Sequence, residues 1–185
     1  RGAVEIRPLL ERTSMIIDPA AARNLEVADP PGSSLLGTLN RCRTAMGRRK
    51  MRDWLLHPLI DVDAVIQRQD WVEAMLGSPE ARSRLQAALS ACGDADRALS
   101  RIAFGNAGPR DLGVVRDTLE AVPRLERHLG EMGLEELLIL PDELRELGEV
   151  LSSALVEEPP RNLLGGGVIR GGFDPTMDGL RDVKK

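Results

Sequence analysis

Six basic side chains, Arg41, Arg43, Arg48, Arg49, Lys50 and Arg52, crowd into twelve residues of this sequence. Charges at that density can neutralise a row of phosphates or dock an acidic partner. The competing reading, the default for such a run, is a solvated helix face whose long stems cover apolar neighbours. Ten basic and six acidic residues through residue 60 leave that stretch at +4, while 15 basic and 23 acidic residues beyond it leave −8. The net charge of −4 thus hides a basic first third, and the whole chain is not a polycation built to coat nucleic acid.

The other chemistry-bearing residues have bland explanations. His57 and His128 lie far apart with no HExxH motif around them, and His57 sits at a helix end that favours a cation. Asp61 with Asp63, Asp94 with Asp96, and Glu135 with Glu136 fall at or near predicted helix starts, where negative charge is stabilised. Gly165-Gly166-Gly167 could wrap a phosphate, but no strand precedes it and no Lys-Ser/Thr follows, so it reads as linker. No Gly-Lys pair occurs, which excludes a P-loop from this segment. Cys42 and Cys92 are too few for a disulfide framework or a cysteine zinc site and fit small buried hydrophobes in a reducing, intracellular setting. The expectation is no catalytic, cofactor-binding or metal-binding residue here.

Composition narrows the class. Of 185 residues, 42% are hydrophobic, 29% charged and only 2% aromatic, with no Tyr. Leu, Ala, Arg and Glu dominate, which favours helix over a β-sandwich or barrel. Few aromatics also argue against a base-stacking module. Apolar runs reach four or five residues, as at Leu137–Leu140, far short of the roughly 20 a membrane span needs. The chain opens on Arg-Gly-Ala with neither an apolar leader nor Met, which predicts a piece of a longer chain.

The elements that must carry these residues are mostly helical. Met15-Ile16-Ile17 reads as one short strand or an extended lead-in. Asp18-Pro19 opens a short helix, ended by the Asp29-Pro30-Pro31-Gly32 turn. Ser33 or Ser34 caps a helix expected over residues 35–56, about 33 Å long, which holds the basic cluster. Its periodicity lapses around Arg49 and Lys50. Further helices start at Asp61, Ser78-Pro79, Asp94 and Pro109, with Pro123 expected to kink or restart the last. Leu134–Leu140 and Pro141–Leu155 read as helices, and Asp174-Pro175 opens a final one. Trp54 and Trp71 read as core or interface anchors. The fold expected is an all-α, elongated helical bundle with at most one short strand near the N-terminus.

The run from Ser34 to Leu55 resembles the core, or lever, domain of the MutS family of DNA mismatch-recognition ATPases. Its most specific part is Thr44-Ala45-Met46-Gly47-Arg48-Arg49 followed by Trp54-Leu55 and Pro58-Leu59. Upstream, Asp18 with Arg23-Asn24-Leu25-Glu26 is similar to another family segment. Downstream, so are Ile66–Glu73, Asp96–Leu99 and Arg101–Leu112. Gly172-Phe173-Asp174 before Met177–Arg181 looks like the start of the family's long helix. The resemblance covers residues 15–185 in order. Lys50, Asp53, Ala95 and Phe173 depart from the pattern, which leaves open a standard repair protein or a divergent paralogue.

The resemblance implies a mechanical part. Residues 1–14 would end a preceding domain or linker and 15–157 would form the first half of the lever. Residues 158–172 would be a Gly/Pro-rich loop, and 173–185 would begin the helix toward a DNA clamp. ATP and Mg would bind elsewhere in the parent, in a C-terminal P-loop domain. The family's Phe-x-Glu mismatch wedge is matched by neither Phe104-Gly105-Asn106 nor Phe173-Asp174-Pro175. Implied partners are double-stranded mismatched DNA through the parent, other domains of the same chain and a second copy in a homodimer, with no membrane and a cytoplasmic location. Arg41, Arg43, Arg48, Arg49 and Arg52 are the candidate phosphate or partner contacts. The alternative is a stand-alone helical scaffold or adaptor; a small helical enzyme comes third.

Overall fold

The computed structural model describes residues 14–29 and 33–183. Its helices are α1 (Pro19–Asn24), α2 (Leu35–Leu39), α3 (Ala45–Leu56), α4 (Val62–Gly77), α5 (Pro79–Leu89), α6 (Ala95–Ala103), α7 (Pro109–Gly130), α8 (Asp142–Ala154) and α9 (Pro175–Val183). A single 3-10 turn, Glu135–Leu137, lies between α7 and α8. The described residues hold no strand, so the fold is all-α. The short strand expected at Met15–Ile17 reduces to an isolated antiparallel bridge, Ser14 with Leu59, in which the Met15 N–H donates to the Pro58 carbonyl at 2.7 Å. A ladder needs repeated pairs, and this one stops at its first.

Two compact units divide the chain. One holds the described parts of Arg1–Arg41 and Arg48–Val72; the other holds Cys42–Gly47 and the described part of Glu73–Lys185.

In the first unit, local caps do most of the ordering. The Asp18 carboxylate accepts the Ala20 and Ala21 N–H groups and starts α1. Ser34, only 1% exposed, accepts the Gly37 N–H at 3.2 Å and starts α2. The Leu35 and Leu36 N–H groups donate to the Glu26 and Val27 carbonyls, and Val27 and Ala28 are buried. Asp61 caps α4 through the Asp63 and Ala64 N–H groups. Neither α3 nor α4 contains a buried residue.

The continuous helix expected over 35–56 is two helices. Asn40 ends α2 in an extended conformation, ψ 103°. A new start follows at Thr44, whose Oγ1 accepts the Gly47 N–H at 2.9 Å. Thr44 is a helix N-cap whose signal was masked by the apolar spacing on either side of it.

The second unit is organised by α7. Eight of its residues are buried: Pro109, Gly113, Val115, Arg116, Ala121, Val122, Leu125 and Leu129. Helices α5, α6 and α8 all pack on it. They contribute Ala81 and Leu85, Ala98, and Gly148 with Ala154 to the core. Gly148 lets α8 come close, since a Cβ there would lie 3.3 Å from Leu119 Cβ. Each buried Leu contributes about 1.5–3 kcal/mol relative to exposure.

Pro123 neither ends nor restarts α7, which runs through it for 22 residues. Proline removes one N–H, but Ala121, Val122 and Leu125 beside it are buried and hold the helix together. The helix expected at Leu134–Leu140 shrinks to the 3-10 turn, because Gly133 at φ +69° breaks the chain direction and Leu134 is buried as an anchor. Ser78 precedes α5 without a side-chain cap bond; Pro79 in the first turn sets that start.

Candidate functional site

The basic stretch divides between the two units. Arg41 falls in the first unit and donates to the neighbouring Asn40 carbonyl at 3.3 Å. Arg43 falls in the second and donates to Gln86 Oε1 at 3.2 Å. Arg48 and Arg52 are one turn apart on α3, both exposed, and Arg52 lies 3.6 Å from Asp29. Arg49 is half-buried.

Part of the charge is answered within α3 itself. Asp53 receives Lys50 Nζ at 3.0 Å and lies 3.0 Å from His57 Nδ1. The Lys50 hydrogen bond, against a small burial penalty and with help from His57, holds the Asp53 carboxyl below the usual carboxylate range. Opposite, Arg68 of α4 lies 3.8 Å over the Trp54 ring, a cation–π contact. Trp54 is 37% exposed, so of the core or interface anchor expected it is not the core one, and its ring carries Arg68.

Several of the remaining candidates make local contacts within the fold. Asp94 accepts the Arg97 N–H and caps α6, and Asp61 caps α4. His128 pairs with Glu131, which also receives Arg84; the Arg84 hydrogen bond chiefly holds the Glu131 carboxyl down. Burial pushes the Cys92 thiol up, away from the reactive thiolate. A cleft of about 280 Å³ between α7 and α8 is lined by Leu119, Pro123, Leu140 and Gly148, with Ser152 at its edge. The Ser152 hydroxyl is already bonded to the Gly148 carbonyl and to Glu120. Among the described residues no group of three His, Cys, Asp or Glu side chains could hold a metal ion. No described helix is long and apolar enough to cross a membrane.

The residue that sequence reasoning missed is Arg116, 6% exposed in the middle of α7. Its Nη1 donates to the Val156 carbonyl at 2.6 Å and its Nη2 to the Glu157 carbonyl at 2.8 Å. Asp117 Oδ1 accepts Nε and Nη2 at 2.9 and 2.7 Å. The signal was there: position 116 follows Leu112 and Val115 and precedes Leu119, on the helix's inward stripe. A second such pair starts α7. Asp111 accepts the Gly108 N–H at 2.9 Å and binds Arg101 of α6. Those bonds, Arg101 first, hold the Asp111 carboxyl below its ordinary range.

These contacts, Arg116 to the Val156 and Glu157 carbonyls and Arg101 to Asp111, tie α7 to its neighbours. The family model for MutS domain III matches residues 20–182. The chain belongs to the MutS domain III family. Among its relatives is the DNA mismatch repair protein MutS of Methanosarcina mazei, 38% identical over 91% of this chain and 20% of that protein. That of Thermus aquaticus is 38% identical over 97% of this chain and 22% of its own length. That of Parasynechococcus marenigrum is 37% identical over 97% and 21%. This domain III chain thus spans about a fifth of the length of the curated relatives it matches.

Proposed function

We propose that this chain is the transmission segment of a mismatch-repair ATPase, carrying ATP-driven movement to a DNA grip. In this reading residues 15–157 form the first half of a lever, 158–172 its loop and 173–185 the start of the helix toward the clamp. ATP and Mg bind in another domain of the same polypeptide, mismatched duplex is gripped by others, and the working form is a homodimer. The observation that supports it most is α7, which runs 22 residues with three helices packed along it. A packed helix moves as a body, so a rotation applied at one end arrives at the other. Such a part needs no catalytic group of its own.

Exposed Arg48 and Arg52, with Arg41, Arg43 and Arg49 around them in sequence, would supply contact to phosphate or to an acidic neighbour.

The test is made in the longer polypeptide that this reading requires. Arg124→Gly with Arg127→Gly softens the exposed side of α7 by about 1 kcal/mol per site without touching its core. Nucleotide and mismatched duplex should each bind as before, while ATP-promoted release of the duplex slows at least tenfold. Unchanged release would sink the lever and favour a static scaffold.

A further inference from the structure

We infer that the connection between α8 and α9 is a latch, closed by Arg116 and Arg181, that holds α9 in register with α7. Sequence composition reads this stretch as linker, since it contains Pro159-Pro160 and Gly165-Gly166-Gly167. Its base is fastened. The Val156 N–H donates to the Val168 carbonyl at 3.0 Å and the Arg170 N–H to the Ala154 carbonyl at 2.7 Å. Leu155, bridged to Ile169, is 2% exposed.

Carbonyls on each side of this short pairing meet an arginine from a different helix. Arg116 of α7 takes Val156 and Glu157. Arg181 of α9 takes Ile169 at 2.7 Å through Nη2, while its Nη1 binds Asp178 at 2.9 Å. Asp178 closes the circuit by accepting the Gly172 N–H at 2.6 Å. A continuous set of bonds therefore runs from the buried side of α7, through the paired backbone, into α9.

Close contact along α7 seats the strap. Arg110 Nε donates to the Pro159 carbonyl at 3.3 Å, and Pro159 is buried. A Cβ on Gly113 would come 3.1 Å from Pro159 Cγ, and one on Gly108 would come 2.7 Å from the Arg161 carbonyl oxygen. Glycine at both positions lets the backbone lie against the helix. The arginine makes the arrangement close as a unit. A buried guanidinium without its carbonyls is costly, and so are buried carbonyls without a donor. Beyond the base the tip is exposed: Leu163 and Leu164 are 72% and 95% exposed.

The latch stands on this geometry alone; its use in transmission rests on the lever reading. Amide hydrogen exchange on the 185-residue chain tests the first. The Val156 and Arg170 amides should exchange at least 100-fold more slowly than those of Gly165 and Gly167. Arg181→Met should speed Arg170 at least tenfold and leave α7 amides from Val115 to Leu129 unchanged. Arg116→Met should speed both Val156 and Arg170. If it does not fold, Arg181→Met decides, since that side chain is 37% exposed and its loss leaves the core intact. Unprotected Val156 and Arg170 amides in the parent chain, or an unchanged Arg170 in Arg181→Met, would overturn the latch. In the longer polypeptide, Arg181→Met should also slow ATP-promoted duplex release at least fivefold. Faster exchange with unchanged release would keep the latch and remove its part in transmission.

Discussion

Helices α3 and α7 both carry arginines, and they use them in opposite ways. On α3, Arg48 and Arg52 face solvent and no residue is buried. On α7, Arg116 is buried and spends its donors on backbone carbonyls some forty residues away in sequence, while Val115, Val122, Leu125 and Leu129 fill the core around it. The same contrast separates the two units. In the one containing residues 62–72 of α4, Val62, Val65, Ile66 and Val72 remain exposed; in the one built on α7, four helices share a core. Charge content alone therefore says little about what an arginine does. Its value is set by whether water or the protein answers its N–H groups.

If that contrast is right, core truncations should separate the units most. Leu125→Ala on α7 should cost about 2–5 kcal/mol in urea unfolding, whereas Val65→Ala on α4 should cost under about 1 kcal/mol. Equal losses would erase the distinction. Next in size is a well-buried cap of the first unit. Ser34→Ala removes the bond to the Gly37 N–H and should cost about 1 kcal/mol, with helicity loss confined to α2. A loss as large as that of Leu125→Ala would give the first unit a tighter centre than its exposure implies.

Asp111→Asn should cost about 1 kcal/mol at neutral pH, by weakening the Arg101 and Gly108 bonds. Its sign with pH is fixed. Because the folded carboxyl is held below its unfolded value, its stabilisation is fully present above the unfolded pKa and is lost as pH falls through the folded one. The parent should lose more stability than Asp111→Asn on acidification below about pH 4, the ordinary aspartate range. Parallel acid profiles would contradict this. Smallest in stability is Arg48→Gln with Arg52→Gln, expected within about 0.5 kcal/mol. On the proposed phosphate contact, the logarithmic salt slope for duplex binding by the longer polypeptide should shrink by about 2 units. An unchanged slope would remove α3 from the contact.

The helical class, most helix starts and the family were legible in the sequence. Asp18, Ser34, Asp61, Asp94 and Asp174 are short acceptors placed just before apolar periodicity, and each caps a helix. Three features were not legible. The Thr44 restart was hidden because apolar spacing before and after it stays in phase. Continuity through Pro123 depends on neighbours packed around it, which no local propensity records. The strap was read as linker because glycine and proline mark turns locally, while the arginines that fasten it come from α7 and α9. The basic cluster was legible as composition only. Its division between units, the Asp53 pairing and the stacking of Arg68 on Trp54 are tertiary facts.

Native-state hydrogen exchange across α3, α4 and α7 tests the central claim most directly, that stiffness is concentrated in the α7-centred unit. The α7 amides from Val115 to Leu129, on both sides of Pro123, should open together and only with global unfolding, while those of α3 and α4 open at lower free energy. Exchange of α7 in two separate groups divided at Pro123, or α3 amides as slow as those of α7, would contradict the account.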